Sequence, residues 1–447
     1  MKKIVFLTFI LLCMITLFSC SKSANKQKEP IMMPVTVYID GAKYQSVFAD
    51  ESKGYTITPP EKPEDITINS DIPKYFYGWF EDPNFQSPLS ETTRFPNGGA
   101  IYGKWITADS TIFEYTVDYG KATITGFKGV APEVLIIPSF IDPFPVTGIK
   151  VDAFLDNKQI EIVAFCNGIE NITGFYGCTA IKKVYIPKSV KSIGIRAFRY
   201  CSNLQSVTFE ENSQCKSIGA AAFSDSWLCH IEIPNTVQSI ESNAFFGCSF
   251  LKTVTIPNSV RSIGSSAFEG CSALQYNIYG NASYLGNSSN PYLYLVKTNT
   301  ADLTSCAISS QTKFIGDSAF EGCLGTSITI PEGVISIGCS AFKNCRALTS
   351  IIIPEGVTSI GYSAFENCQA LTSIIISNSV NSIELFAFKG CINLEKITIP
   401  NSVKHMGDMV FYGWKSYQKI YCRVESEPIG WSSIWSRGCY ADIYWNK

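Results

Sequence analysis

The chain has 447 residues, with 36 Lys and Arg against 38 Asp and Glu, a formal net charge of -2 and 46% hydrophobic residues. That length exceeds one ordinary domain, and the balanced charge offers no basic stripe to neutralise phosphates, which argues against a nucleic-acid partner. Beyond residue 20 no apolar run reaches the roughly 20 residues that a membrane-spanning helix needs.

Lys2 and Lys3 precede an apolar stretch over 4–17, too short to span as a stable helix, so 1–19 reads as a signal peptide. Leu17-Phe18-Ser19-Cys20 resembles a bacterial lipobox, a signal whose Cys takes the lipid and becomes the mature N-terminus. Cys20 is therefore the expected lipidation site and membrane contact. A polar tether over 20–34 follows, made basic by Lys22, Lys26 and Lys28. The expected location is the cell envelope, as a surface-exposed outer-membrane lipoprotein; the non-acidic tether leaves the leaflet open.

Residues 35–106 read as a small β-rich domain. Val35-Thr36-Val37-Tyr38-Ile39 has strand composition, and Pro59, Pro60 and Pro63 mark a loop.

From 107 to 447 a repeat governs the chain. Its best copies are 262-SIGSSAFEGC-271, 336-SIGCSAFKNC-345 and 359-SIGYSAFENC-368. The repeat phenylalanine runs from Phe154 to Phe411 in steps of 21–25 residues, apart from one step of 52 between Phe268 and Phe320. That long step leaves room for two diverged units, and two regular rungs are expected there. One unit reads Leu348-x-x-Ile351-x-Ile353-Pro354-x-x-Val357-x-x-Ile360-Gly361-x-x-Ala364-Phe365-x-x-Cys368. Alternation turns Ile351 and Ile353 to one side of a strand. Pro354 ends the strand because it cannot donate to a ladder, and Gly361 permits a sharp corner. Ala364 and Phe365 fill the interior beneath a short helix or 3₁₀ segment. Each unit alone exposes an apolar face, and stacking buries it.

The cysteines share the period: Cys178, Cys201, Cys248, Cys271, Cys323, Cys345, Cys368 and Cys391. Strand spacing of about 4.8 Å would permit disulfides between rungs. Buried free thiols are the favoured reading, because Ser226 and Trp414 take the Cys place in two units and a paired framework would not tolerate that.

These motifs resemble the BspA-type leucine-rich-repeat family of bacterial surface proteins over about 109–447. The opening 113-FEYTVDYGKATITGFKG-129 looks like that family's first hairpin. The resemblance implies an α/β solenoid, right-handed and curved, with a parallel β-sheet on the concave face and short helical or 3₁₀ segments. It also implies adhesion or binding to host proteins. Upstream, Tyr77-Gly78-Trp79-Phe80 and Tyr102-Gly103-Lys104-Trp105 resemble the Listeria–Bacteroides repeat module, which implies a small β-grasp-like domain with a spacer or presentation role.

No catalytic constellation emerges. The chain has only two histidines, His230 and His405, which align with Thr253 and Ser382 respectively, each as a tolerated surface variant of its repeat position. Glu269, Glu332, Glu355 and Glu366 occupy positions read as solvent-facing. No phosphate loop, calcium loop or Cys-x-x-Cys occurs. No enzyme activity, cofactor or metal is expected. The candidate ligand-binding face is the outward side of the strands, namely Tyr185, Thr208, Glu232, Thr255, Thr329, Ile352, Ile375 and Thr398, with a protein ligand such as a host matrix or cell-surface protein. Trp431, Trp435 and Trp445 form a second candidate, with a cap on the last rung as the favoured reading and an aromatic patch suited to glycan stacking as the alternative. A periplasm-facing scaffold is the remaining alternative.

Overall fold

The computed structural model describes residues 32–446 except 40–41, 54, 59–73, 85, 91–92 and 299–305. The signal peptide, Cys20 and the prolines at 59, 60 and 63 lie outside the described residues. The described residues up to 58 and from 76 to 105 form one compact unit, and Lys74, Tyr75 and those from 106 onward form a second.

In the first unit the strands β1 (Met32–Ile39), β2 (Ala42–Asp50), β3 (Lys74–Phe80) and β4 (Gly99–Thr107) form one sheet in the order β2-β1-β4-β3. The β1–β2 pair is antiparallel and the central β1–β4 pair is parallel. Val35, Val37, Ala49, Trp79, Phe95 and Ile101 form its core.

The second unit opens with an antiparallel hairpin, Phe113–Asp118 with Lys121–Phe127. It then becomes a solenoid in which each turn of chain stacks on the last through three hydrogen-bonded faces. The front face carries the longer strands, such as Ser350–Ile353 paired in parallel with Ser373–Ile376. A second face consists of two-residue Ser-Ile strands, such as Ser359–Ile360 beside Ser382–Ile383. Gly361 lies between this face and the next, where a Cβ would come within 2.6 Å of the Gly338 backbone in the preceding rung. Glycine is thus required by the closeness of successive rungs.

The third face corrects the expected helical segments. Among the described residues the 3₁₀ segments are Glu51–Lys53 and Ser110–Ile112, both outside the repeat. The Ala-Phe segment is instead a ladder of turns. Ser363 and Asn367 adopt left-handed backbone conformations, with φ of 53° and 59°. Alternate amides therefore leave the local turn: those of Ser363, Phe365 and Asn367 donate to the carbonyls of Leu385, Ala387 and Lys389 at 2.8–2.9 Å. The amides between them, on Ala364, Glu366 and Cys368, close three-residue turns. A helix would direct every amide along its own axis, whereas half of these point to the neighbouring rung. Asn, Asp or Gly just before the repeat Cys, as at Asn344, Asn367, Gly270 and Gly390, supplies the residue type that tolerates this conformation.

The interior is a column of rings. Phe320, Phe342, Phe365, Phe388 and Phe411 stack at 5.0, 5.1, 5.6 and 5.8 Å, with planes within 11° of parallel. Phe175, Phe198, Phe223, Phe245 and Phe268 form an equivalent stack. Between the two stacks the expected pair of regular rungs is replaced by strands Asn277–Tyr279, Ala282–Leu285 and Tyr294–Thr298, which pair antiparallel with one another. Only then does Tyr294 pair with Phe314 in the parallel sense. The core divides here into two clusters, one containing Phe113 to Phe268 and the other Phe320 to Trp435. Asp317 bridges the break. Its carboxylate accepts from the Ser266 amide at 2.5 Å on one side and the Cys339 amide at 2.6 Å on the other.

Phe342 is fully buried between two rings. Phe342→Ala should therefore cost about 3–5 kcal/mol. Denaturant unfolding checks the size of the loss. Hydrogen exchange checks its location, which should be the rungs around 320–365, because each unit contacts only its neighbours.

Candidate functional site

The outward positions of the front strands lie in register. Tyr185 pairs with Thr208, Glu232 with Thr255, and Ile352 with Ile375. Thr398 pairs with Tyr421, and Tyr421 with Tyr444. The ladder is not uniformly open. Its first rungs are covered, because Ile106 and Ala108 pack over Val134, Ile136 and Ala164, with Tyr185 against the same group. Tyr185 is thus half-buried in a small accessory core and is not a free contact residue. The face opens at Thr208 and Glu232, and Thr255 is half-buried where Gly286 of the insert bridges to it.

Beyond the insert the face is open, with Thr329, Ile352, Ile375 and Thr398 exposed. Ile352 is 59% and Ile375 57% exposed, side by side on consecutive strands. Two tyrosines that the sequence reading did not include continue the row: Tyr421 and Tyr444 stack at 5.1 Å. Adding the 23-residue period to Thr398 once and twice reaches them, so the signal was available. The sequence signal was obscured by the drift of the repeat motif near the end of the chain.

The aromatic candidate at the end of the chain is corrected. Trp431 and Trp435 are buried, at 5% and 2% exposure. Trp435 meets Phe411 edge-on at 6.0 Å and so terminates the ring column, while Trp431 packs on Trp435 at 5.1 Å and Trp445 at 6.0 Å. The Trp431 indole N–H donates to the Val403 carbonyl at 3.1 Å. Trp431 and Trp435 thus form a cap with their rings buried, and Trp445 is half-buried against them, which leaves no exposed row of three rings for a sugar.

The titratable groups were the other candidates. His230 Nδ1 lies 2.6 Å from Thr253 Oγ1 on the next strand, and His405 lies 3.6 Å from Glu384. Both occupy the repeat positions expected of them, paired with Thr253 and Ser382. Glu366 is not solvent-facing as expected. It is 6% exposed and lies between Lys343 and Lys389 of the flanking rungs, at 3.0 and 2.9 Å. Burial pushes its pKa up, but the hydrogen bonds from the Lys389 and Lys343 ammonium groups outweigh this and hold the carboxyl below its ordinary value. An ionised, doubly paired carboxylate is a poor proton donor.

The Cys column has a structural role that recurs along the solenoid. The Sγ–H of Cys201, Cys248, Cys345, Cys368 and Cys391 donates to the carbonyl of the phenylalanine one rung back, at 3.0–3.2 Å. Where Trp414 replaces Cys, its indole N–H donates to the same carbonyl, on Phe388, at 2.9 Å. The position therefore selects a buried donor. Burial raises the thiol pKa to about 12 at Cys178, Cys391 and Cys422. Thiols held neutral in this way are inert as nucleophiles.

The geometry defines a leucine-rich-repeat solenoid whose accessible feature is a sheet face. The chain belongs to the BspA type leucine rich repeat family, whose profile matches residues 137–214, 173–294 and 298–430 in six copies. Among solved structures it is similar to a leucine rich cell surface protein from Faecalibacterium prausnitzii, with 27% identity over 75% of this chain and 93% of that one and a TM-score of 0.33. It is also similar to a leucine-rich repeat protein from Bacteroides ovatus, with 21% identity over 75% of this chain and 98% of that one and a TM-score of 0.38. A third is the pneumococcal vaccine antigen PcpA, with 17% identity over 75% and 84% and a TM-score of 0.31. No curated protein matches the chain.

Two results should follow from the thiol column. Alkylation of the native protein should label the exposed Cys229 and spare Cys201, Cys345, Cys368 and Cys391 until denaturant is added, as read by peptide mass spectrometry. Stability should also fall in alkali. The folded chain keeps thiols such as Cys178 and Cys391 neutral to about pH 12, whereas the unfolded chain ionises them from the ordinary value of 9.0. Their contribution is complete below pH 9 and is lost as pH rises from there towards 12. A melting temperature that stays level across that window would contradict this.

Proposed function

We propose that the protein is a cell-envelope lipoprotein, anchored through Cys20, that binds a protein ligand such as a host matrix or cell-surface protein through the later part of its front sheet. The observation that carries this reading is the exposed pair Ile352 and Ile375 on adjacent strands, followed at the same repeat position by Thr398 and the stacked Tyr421 and Tyr444. Apolar side chains that bury nothing at home gain from burial against a partner, at roughly 25 cal/mol per Å². Aromatic residues flanked by small polar ones match the composition that favours interface cores. The lipobox-like Leu17-Phe18-Ser19-Cys20 and the tether over 20–34 support anchoring. Binding is favoured over catalysis because the titratable groups described above are paired structurally or repeat-position variants.

Binding of purified protein to a panel of immobilised extracellular-matrix proteins and to epithelial cells tests the reading. The double variant Ile352→Lys, Ile375→Lys should lose affinity by about tenfold or more and keep its circular dichroism, because both side chains are exposed. Thr208→Lys, nearer the covered end, should bind as the parent does. Equal binding by all three, or no binding at all, sinks the proposal. Protease treatment of intact cells should release the repeat region, and Cys20→Ala should move the protein out of the membrane fraction.

A further inference from the structure

The later front sheet carries charge as well as apolar surface. Lys396 and Lys419 pair in register on adjacent strands, and both are exposed on the outward side. Like charges directly opposite one another on a sheet are destabilising. The fold does not demand them, because the same repeat position holds serine one and two periods earlier, at Ser373 and Ser350. Lysines elsewhere in the repeat are neutralised across rungs: Lys188 meets Glu210, Lys191 meets Glu170, and Lys343 and Lys389 meet Glu366. Among the described residues no carboxylate lies within ion-pairing distance of Lys396 or Lys419, although Asp442 stands opposite Lys419 on the next strand and Glu395 precedes Lys396. Asp442 instead accepts from the Tyr444 hydroxyl at 3.5 Å.

We propose that this part of the sheet takes an extended, acidic segment of a protein partner, with an apolar side chain on Ile352 and Ile375 and two acidic side chains on Lys396 and Lys419. This rests on the reading above, that the later front sheet binds a protein, and states the chemistry its partner must present. The lysine pair lies two rungs and two strand residues from the isoleucine pair, roughly 12 Å at ordinary sheet spacings. An extended chain covers that distance in about three to four residues. The segment is therefore an apolar residue with two acids about three and four positions away. Carboxylates set against the two ammonium groups relieve the repulsion that the free sheet carries. A sulfated glycan would also meet the lysines, but it has no apolar side chain to lay on isoleucines that are 59% and 57% exposed. The isoleucine pair thus favours a peptide.

Selection of a random-peptide phage library on the immobilised full-length protein tests the proposal. The selected peptides should carry an apolar residue and two acids at that spacing. The best of them, synthesised and followed by fluorescence anisotropy, should bind Lys396→Ser, Lys419→Ser about tenfold more weakly. Its loss of affinity with added salt should flatten in the same variant. Lys396→Arg, Lys419→Arg should bind as the parent does. Ile352→Ser, Ile375→Ser should weaken the peptide and keep its salt dependence. Lysines placed at 352 and 375 would stand roughly 12 Å from the acids, beyond the screening length at physiological salt, so the lysine variant described earlier still reads the apolar contact. The proposal is overturned if the library yields no peptide, if the selected peptides are not acidic, if Lys396→Ser, Lys419→Ser binds them as the parent does, or if heparin and no peptide depends on the two lysines. A matrix protein that is lost by Ile352→Ser, Ile375→Ser but held by Lys396→Ser, Lys419→Ser sinks this proposal alone. The wider reading of the sheet fails when neither peptide nor matrix protein responds to the isoleucine change.

Discussion

The solenoid depends on in-register stacking at the strand spacing. Each rung hands outward amides and carbonyls to the rung beside it, and adjacent rungs such as those of Ser350–Ile353 and Ser373–Ile376 do so on three faces at once. Once that spacing is imposed, every interior position faces a copy of itself about 5 Å away. Flat rings suit this requirement because they stack at that distance without changing rotamer, and the near-parallel phenylalanines follow from it. The same geometry leaves the phenylalanine carbonyl with its second lone pair turned into a dry interior. A buried acceptor needs a donor, and the space beside it is small. A thiol fits, and an indole N–H fits where the rung is wider, as at Trp414. The recurrence of cysteine is therefore explained by hydrogen bonding within the core, without redox or metal chemistry being invoked.

The features legible in the sequence were those fixed by the period. The 23-residue spacing gave the ring column and the pairing of His230 with Thr253 and of Ile352 with Ile375, because a period fixes register without reference to side-chain chemistry. The hairpin over 113–129 was likewise readable from its motif. What escaped depended on contacts between rungs. The Ala-Phe segment has helical composition, but its amides bond sideways, so local propensity gave the wrong local structure. Glu366 looked like any charged position until its neighbours one period away proved to be lysines on both sides. Trp431 and Trp435 were read first as a cap, because a solenoid end must be covered, and their burial agrees with that reading over a platform. The insert was misread because its length was close to two periods, and length alone cannot distinguish parallel rungs from an antiparallel hairpin.

This division of labour bears on function. Interior positions are held by stacking and tolerate few residue types. Outward positions on the front strands are constrained only by strand propensity, which accepts Thr, Ser, Tyr, Ile and Lys alike. Specificity in such a body must therefore be written in the outward row. In this chain the row changes character along its length. It is covered by Ile106 and Ala108 at the first rungs, is polar from Thr208 to Thr255, and is apolar and aromatic from Ile352 to Tyr444. A partner reading this row would meet a gradient of chemistry, and the end that can be desolvated with profit is the later one, because burying His230 or Glu232 would require a matching polar group.

A repeat that stacks without interruption keeps its ring column whole, since each rung fills the space left by the last. The insert is therefore the one place in the described repeat where the period and the packing part company. Its hairpin ends the first ring stack, yet the carboxylate of Asp317 restores the backbone bonding across the gap to Ser266 and Cys339. Bonding is thus continuous at a point where the ring column is not. A random loss of a repeat would be expected to disturb both. Keeping the ladder across the break requires Asp317, Gly316 and Tyr294 to act together: a Cβ at residue 316 would lie 2.7 Å from the Tyr294 hydroxyl. The mutual fit of these three residues makes the insert a built joint between the two cores, because the backbone bonding passes through it although the ring column does not.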